Sequence, residues 1–152
     1  MTGEFAEFYR DHFGELAGYG WSLTRDAQVG DDLAQEAMTR VYARWPVLAE
    51  PRPYAYRIVT NLVRDRWRAQ ERSGRALAEL ATAPEAPGPD TSTLDAVRRL
   101  PHDLRVVVAL HYYADLPVDQ VARVVRRPVG TVKRRLHDAR AALAVALQEE
   151  AR

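Results

Sequence analysis

Apolar residues return every three or four positions along almost the whole chain, and no stretch of strict alternation is long enough to argue for a sheet. The pattern predicts an all-α protein. Phe5, Phe8, Tyr9, Phe13, Leu16 and Leu23 mark a first helix, and Leu33, Ala37, Val41 and Trp45 mark a second that ends before Pro46. Pro51 and Pro53 punctuate a short loop. A long helix then starts near Pro53, with Ala55, Ile58, Val59, Leu62 and Ala69 on one side and Arg57, Asn61, Arg64 and Arg68 on another. Projected at roughly 100° per residue, those four polar positions fall within about 60° of one another, a stripe of three guanidiniums and one amide.

Residues 81–93 contain three prolines, one glycine and no large apolar side chain, a composition that cannot bury enough surface to order itself. The segment is expected to tether two small helical domains, residues 1–80 and 94–152. In the second, residues 94–100 form a short helix, Pro101 suits the first turn of the next, and Leu104, Val107, Val108 and Leu110 give that helix its buried side. Leu116-Pro117 is a break. Val118, Val121, Ala122 and Val125 then form a short helix, a tight turn falls at Arg126-Arg127-Pro128, and Val129, Val132, Leu136, Ala139 and Leu143 set the core side of a final helix. This last pair is a helix-turn-helix by spacing.

Composition narrows the setting. The 152 residues include no cysteine, which excludes a disulfide scaffold and a cysteine-bearing zinc finger. No apolar run approaches the roughly 18 residues that span a bilayer, and Met1-Thr2-Gly3-Glu4-Phe5 lacks the order of a signal peptide, so no membrane insertion and a cytoplasmic location are expected. No further domain is expected after Arg152. The net charge of +1 hides a segregation: residues 1–50 carry −5, residues 51–80 carry +4, residues 81–93 carry −2 and residues 94–152 carry +4. Between residues 123 and 140, seven bases face Asp138 alone. All the basic residues except Lys133 are arginines, planar forks suited to carboxylate, phosphate or base-edge recognition. A basic block of this kind suits a polyanion.

In a helix-turn-helix the second helix presents its N-terminal turns to a major groove. Gly130, Thr131, Lys133, Arg134 and His137 are expected to point outward there, with Arg127 beside them in the turn. Gly130 would admit a close phosphate, Thr131 and the helix start would donate to phosphate oxygens, and Lys133 or Arg134 would reach guanine O6 and N7. The bland alternative is a helical hairpin with a solvated basic face. Along the long helix, Tyr54, Arg57, Asn61, Arg64 and Arg68 combine phosphate forks, a base-edge reader and an aromatic platform; the alternative there is a solvated face with Trp67 packed in the core. Asp31, Asp32, Gln35 and Glu36 open the second helix with two carboxylates. They serve either as first-turn capping or as an acidic surface for a basic protein partner, since such a surface would be repelled by DNA. His12, His102, His111 and His137 share no metal-ligand spacing, and the chain has no P-loop, GxGxxG or GxSxG motif, so neither catalysis nor a cofactor is expected.

The motifs together resemble an extracytoplasmic-function (group IV) sigma factor of the sigma-70 family, of the SigE-like actinobacterial type. The resemblance runs from about residue 5 to 148. It rests on Phe8-Tyr9-Arg10 with Leu23-Thr24, Asp32-Leu33-Ala34-Gln35-Glu36, the run from Tyr54 to Asp65, Leu100-Pro101, and the run from Val129 to Arg140. It implies a region-2-like domain, a linker that in relatives runs towards the active-site and RNA-exit channels, and a region-4-like domain. It also implies core RNA polymerase, promoter DNA and an anti-sigma factor as partners. By resemblance, Asp31, Asp32, Gln35 and Glu36 contact the clamp of the largest catalytic subunit, and the region-4-like domain meets the flap of the second-largest. Residues 46–53 with Tyr54, Arg57 and Asn61 match the part that captures unpaired −10 bases, and residues 130–137 match the −35 recognition helix. The chain departs from the family at Tyr54, usually Trp or Phe; at Ala55, usually Leu; and at Ala34, usually Val. It departs again at Arg126, where the turn commonly carries Gly, and at Arg134, a frequent Ser, which implies a shifted −35 preference. A stand-alone helix-turn-helix regulator binding duplex DNA as a dimer, and a helical antagonist of a sigma factor, are the competing readings.

Overall fold

The computed structural model describes residues 2–74 and 91–150. Among them are seven α-helices and no strand, arranged in two compact units, Met1–Glu85 and Ala86–Arg152. The tether expected at residues 81–93 lies outside the described residues up to residue 90. Residues 91–93 already belong to a helix, so the short helix expected from Leu94 starts three residues earlier.

The first unit packs α1 (Thr2–Thr24), α2 (Ala27–Ala43) and α3 (Pro51–Ser73). Only Arg25 and Asp26 separate α1 from α2. Arg25 takes a left-handed backbone, φ 56°, and ends α1, while Asp26 caps α2 by accepting from the amides of Gln28 (3.0 Å) and Val29 (3.2 Å). The two helices touch through glycine. A Cβ placed on Gly30 would stand 2.6 Å from the carbonyl oxygen of Ala17, and one on Gly20 would stand 3.1 Å from Gly30 Cα. Backbone meets backbone here, which fixes the depth at which α2 sits on α1.

Leu16, Leu23, Ala37, Val41, Ala55, Ile58 and Val59 are buried as the periodicity predicts, Leu62 is half-buried, and Met38, Tyr19, Tyr56 and Val63 join the core. The Thr60 hydroxyl donates to Tyr56 O at 2.7 Å, so Tyr19 donates to Thr60 Oγ1, also at 2.7 Å. Burial pushes the Tyr19 phenol well above its usual range, which keeps it neutral. Three expectations are corrected. The second helix stops at Ala43, because Trp45–Val47 tightens into a 3₁₀ turn that seats Trp45 against Phe5 (5.5 Å) and Phe8 (5.4 Å). α3 starts at Pro51 and not near Pro53, since proline at N1 lacks only an amide that would be orphaned anyway. Ala69 is exposed rather than part of the apolar side.

The second unit consists of α4 (Thr91–Arg98), α5 (His102–Val108), α6 (Val118–Val125) and α7 (Val129–Glu150). Leu100, Val108 and Ala139 form a core with Val97, Leu104 and Leu143 packed against it. Pro101 caps α5 rather than entering its first turn, and Arg105 reaches back to the carbonyls of Arg98 and Leu100, closing α4. α5 runs on as a π-helical segment, Ala109–Tyr113, before the break at Leu116-Pro117. Val129 is 40% exposed, against the expectation of a core position: it is the first residue of α7 and precedes the turn that packs inward at Val132.

Candidate nucleic-acid and protein interfaces

Asp31, Asp32, Gln35 and Glu36 all lie exposed on α2. They do not open the helix. Asp26 does, four residues before Gly30, so Asp31 and Asp32 sit in the second turn, beyond the span over which the helix dipole favours a carboxylate. The capping explanation therefore fails for these two residues. Their neighbours hold this surface in place: Gln28 Nε2 donates to Asp32 Oδ1 at 3.1 Å, Arg40 Nε to Glu36 Oε1 at 2.9 Å, and Tyr9 on α1 donates its hydroxyl to Gln35 Oε1 at 2.9 Å. Tyr42, 56% exposed, lies seven residues beyond Gln35 on the same stripe. It was missed by sequence reasoning, although an aromatic at a position outside the core period was a readable signal.

On α3 the stripe divides by depth. Asn61 and Arg68 are exposed, whereas Arg57 and Arg64 are half-buried with their Nε atoms out of solvent. Arg68 faces Asp65 loosely, at 3.7 Å. Tyr54 is half-buried beneath the Arg44 guanidinium, 5.7 Å from the ring centroid, and Trp67 is buried in the core. Arg44 thus stands beside Tyr54 although nothing in the periodicity singled it out. Arg52, at the start of α3, is tied to α1 by a two-pronged pair with Glu15, at 2.9 and 3.2 Å.

The second unit supplies a helix-turn-helix. α6 ends when Arg126 takes φ 56° and ψ 50°, and the Arg127 amide then donates to Ala122 O at 3.2 Å. Arg126 thus holds a left-handed backbone at the position where the resembled family commonly carries Gly, at a cost of about 1–2 kcal/mol relative to glycine. Pro128 follows, and α7 begins. Val132, Leu136 and Ala139 are buried on one side of α7; Gly130, Lys133, Arg134 and His137 are exposed on the opposite one, with Thr131 half-buried at the edge. A Cβ on Gly130 would meet nothing within 4 Å, so no packing in this unit requires glycine there. Two other bases of the segment face inward or are engaged: Arg135 approaches Asp103 at 3.7 Å, and Arg140 donates to the Tyr112 hydroxyl at 2.7 Å. Arg127 directs Nη1 to the carbonyl of Arg126 at 3.0 Å.

Two helical units, one carrying an acidic helix and an arginine stripe and the other a helix-turn-helix with a basic outward face, define an all-α DNA-binding protein. The models for Sigma-70 region 2 and Sigma-70 region 4 match residues 8–73 and 91–143. The chain belongs to the sigma-70 family, as an extracytoplasmic-function (ECF) RNA polymerase sigma factor. It is 31% identical over 153 residues to the RNA polymerase sigma-E factor of Streptomyces coelicolor, covering 92% of this chain and 84% of that one. With the ECF RNA polymerase sigma factor SigL of Mycobacterium tuberculosis it shares 29% over 154 residues, covering 93% and 87%. Among solved structures, the fold is similar to CnrH in complex with the cytosolic domain of CnrY (TM-score 0.75, 22% identity, 98% and 90% covered). It is also similar to the sigma factor RpoE in complex with the anti-sigma factor NepR from Bartonella quintana (TM-score 0.71, 17% identity, 95% and 97% covered). Sigma factors are transcription initiation factors. No helix among the described residues is long and apolar enough to cross a membrane.

Proposed function

We propose that this chain directs core RNA polymerase to promoters by dividing the work between its faces. Asp31, Asp32, Gln35 and Glu36 dock on the clamp of the largest subunit. Tyr54, Arg57, Asn61, Arg64 and Arg68 hold the melted −10 strand, the arginines on phosphates and Asn61 on a base edge. Arg127, Gly130, Thr131, Lys133, Arg134 and His137 address the −35 duplex, with Lys133 and Arg134 placed for guanine and Thr131 for the backbone. Residues 1–80 and 94–152 are the two working domains, residues 81–93 join them, and the second domain meets the flap of the second-largest subunit. The polymerase supplies the chemistry; this chain needs neither a catalytic group nor a cofactor, and it acts in the cytoplasm.

The observation that carries the reading is the separation of charge by helix. Acids that cap nothing occupy the outward side of α2, while exposed bases occupy α3 and the outward side of α7. One chain with both surfaces suits a basic protein partner and a polyanion together. An anti-sigma protein is a further partner, supported by the complexes in which RpoE and CnrH were solved and by the exposed aromatic residues Tyr42, Tyr112 and Tyr113.

The test is reconstitution with core enzyme on a randomised promoter library, followed by sequencing of the templates that yield transcripts. Enrichment of a bipartite −35 and −10 pattern is expected. Tight binding to duplex DNA with no transcript would instead indicate a free-standing regulator, and inhibition of transcription would indicate an antagonist.

A further inference from the structure

Arg126 ends α6 in left-handed backbone, a conformation that a long side chain adopts at a cost and that persists where the surroundings or the function hold it. Arg25 and Asp115 are the other non-glycine residues with positive φ among those described. Asp tolerates this region, and Arg25 half-buries its side chain, with Nε out of solvent. Arg126 is different. Its side chain is exposed and makes no hydrogen bond, ion pair or ring contact among the described residues; its amide donates to Ala122 O, and its carbonyl accepts from Arg127 Nη1 at 3.0 Å. Glycine would give the same turn without strain, so the fold supplies no reason for a guanidinium at this point.

We infer that Arg126 binds a backbone phosphate of the duplex whose groove α7 reads, a contact that rests on the DNA-reading role proposed for α7. The turn before a groove-reading helix lies where the phosphates line the groove edge. Arg126 precedes Gly130 by four residues, which limits their Cα separation to about 15 Å. A guanidinium is always charged and offers two parallel N–H groups to a phosphate. Its neighbour Arg127 has one arm already engaged on the turn, which leaves Arg126 as the side chain of this turn with all its donors available.

The test titrates the full chain, wild type and Arg126→Gln, Arg126→Lys and Arg126→Gly, against a fluorescein-labelled duplex of mixed sequence over a sodium chloride series. Each phosphate neutralised contributes about 0.9 to the slope of log K against log salt, so Arg126→Gln should lower the slope by about 0.9 and weaken binding roughly eightfold at 0.1 M salt. Arg126→Lys should keep the slope. Arg126→Gly should lose the same affinity while raising the urea midpoint of the second unit, followed by circular dichroism, since it removes strain and charge together. Slopes for Arg126→Gln and Arg126→Gly equal to wild type would overturn the inference. Lys133→Ala serves as the reference for α7. A change there with none at Arg126 sinks this contact alone, and no change at either residue sinks both the contact and the role of α7 on which it rests.

Discussion

Replacing Gly30 by alanine adds one methyl group at the point where α2 lies on α1. That carbon would stand 2.6 Å from Ala17 O and 3.0 Å from Trp21 N, both main-chain atoms that cannot swing aside. Reaching ordinary contact requires the helices to part by about 0.8 Å, which loosens the packing between α1 and α2. Overpacking of this kind costs about 1–3 kcal/mol, and contact with rigid main chain puts the cost near the top of that range; the gain in helix propensity from Gly to Ala returns about 1 kcal/mol. The net expectation is a loss of about 2 kcal/mol, which lowers a urea midpoint by about 1–2 M. Gly14 is the internal control, since it lies within α1 and a Cβ there meets nothing within 4 Å. Gly14→Ala should gain about 1 kcal/mol from propensity alone. Trp21, Trp45 and Trp67 are the three tryptophans of the chain and all belong to the first unit, so tryptophan fluorescence follows the unfolding of that unit without interference from the second. Equal midpoint shifts for Gly30→Ala and Gly14→Ala would refute the close-approach argument.

Charge reversal at Asp32 and Glu36 together should abolish co-elution with core RNA polymerase in gel filtration, while the unfolding free energy read by fluorescence changes by no more than about 0.5 kcal/mol, the worth of an exposed helical ion pair; undiminished co-elution would contradict the docking role. Arg134→Ser should change both the salt slope and the selected −35 bases in promoter titrations, because a donor fork is lost from the exposed side of α7, and unchanged selection would count against it. Tyr19→Phe removes a buried hydrogen bond while Thr60 keeps its bond to Tyr56 O, so a loss of about 1 kcal/mol is expected in fluorescence-detected urea unfolding.

Much of this architecture was legible in the spacing of apolar residues, since Leu16 and Leu23 of α1, Ala55, Ile58 and Val59 of α3, and Val132, Leu136 and Ala139 of α7 are buried where a 3.6-residue period puts them. What the period could not supply was where helices begin. Asp26 caps α2 because Arg25 turns left-handed just before it, and a positive φ at arginine has no signature in composition. The helix therefore starts four residues before the acidic run that the sequence reads as its opening, and this displacement bears directly on what Asp31 and Asp32 are for. Glycine spacing was equally silent: Gly20 and Gly30 resemble helix-weakening residues in sequence, and their use becomes evident once two backbones meet. Depth was another blind spot. Arg57 and Arg64 project onto the same stripe as Asn61 and Arg68 but are half-buried, because projection gives an angle and no distance from solvent. The π-helical step at Ala109–Tyr113 adds a residue to a turn, which no 3.6-residue template anticipates.

The bond between Arg40 and Glu36 gives the acidic surface of α2 a built-in counterion. A cationic partner approaching Glu36 competes with a group carried on the next turn of the same helix. Because that group is exposed, its displacement is cheap, and when the partner withdraws Arg40 swings back to screen the carboxylate. A surface with such a counterion is thus equipped to release a cationic partner as well as to hold one.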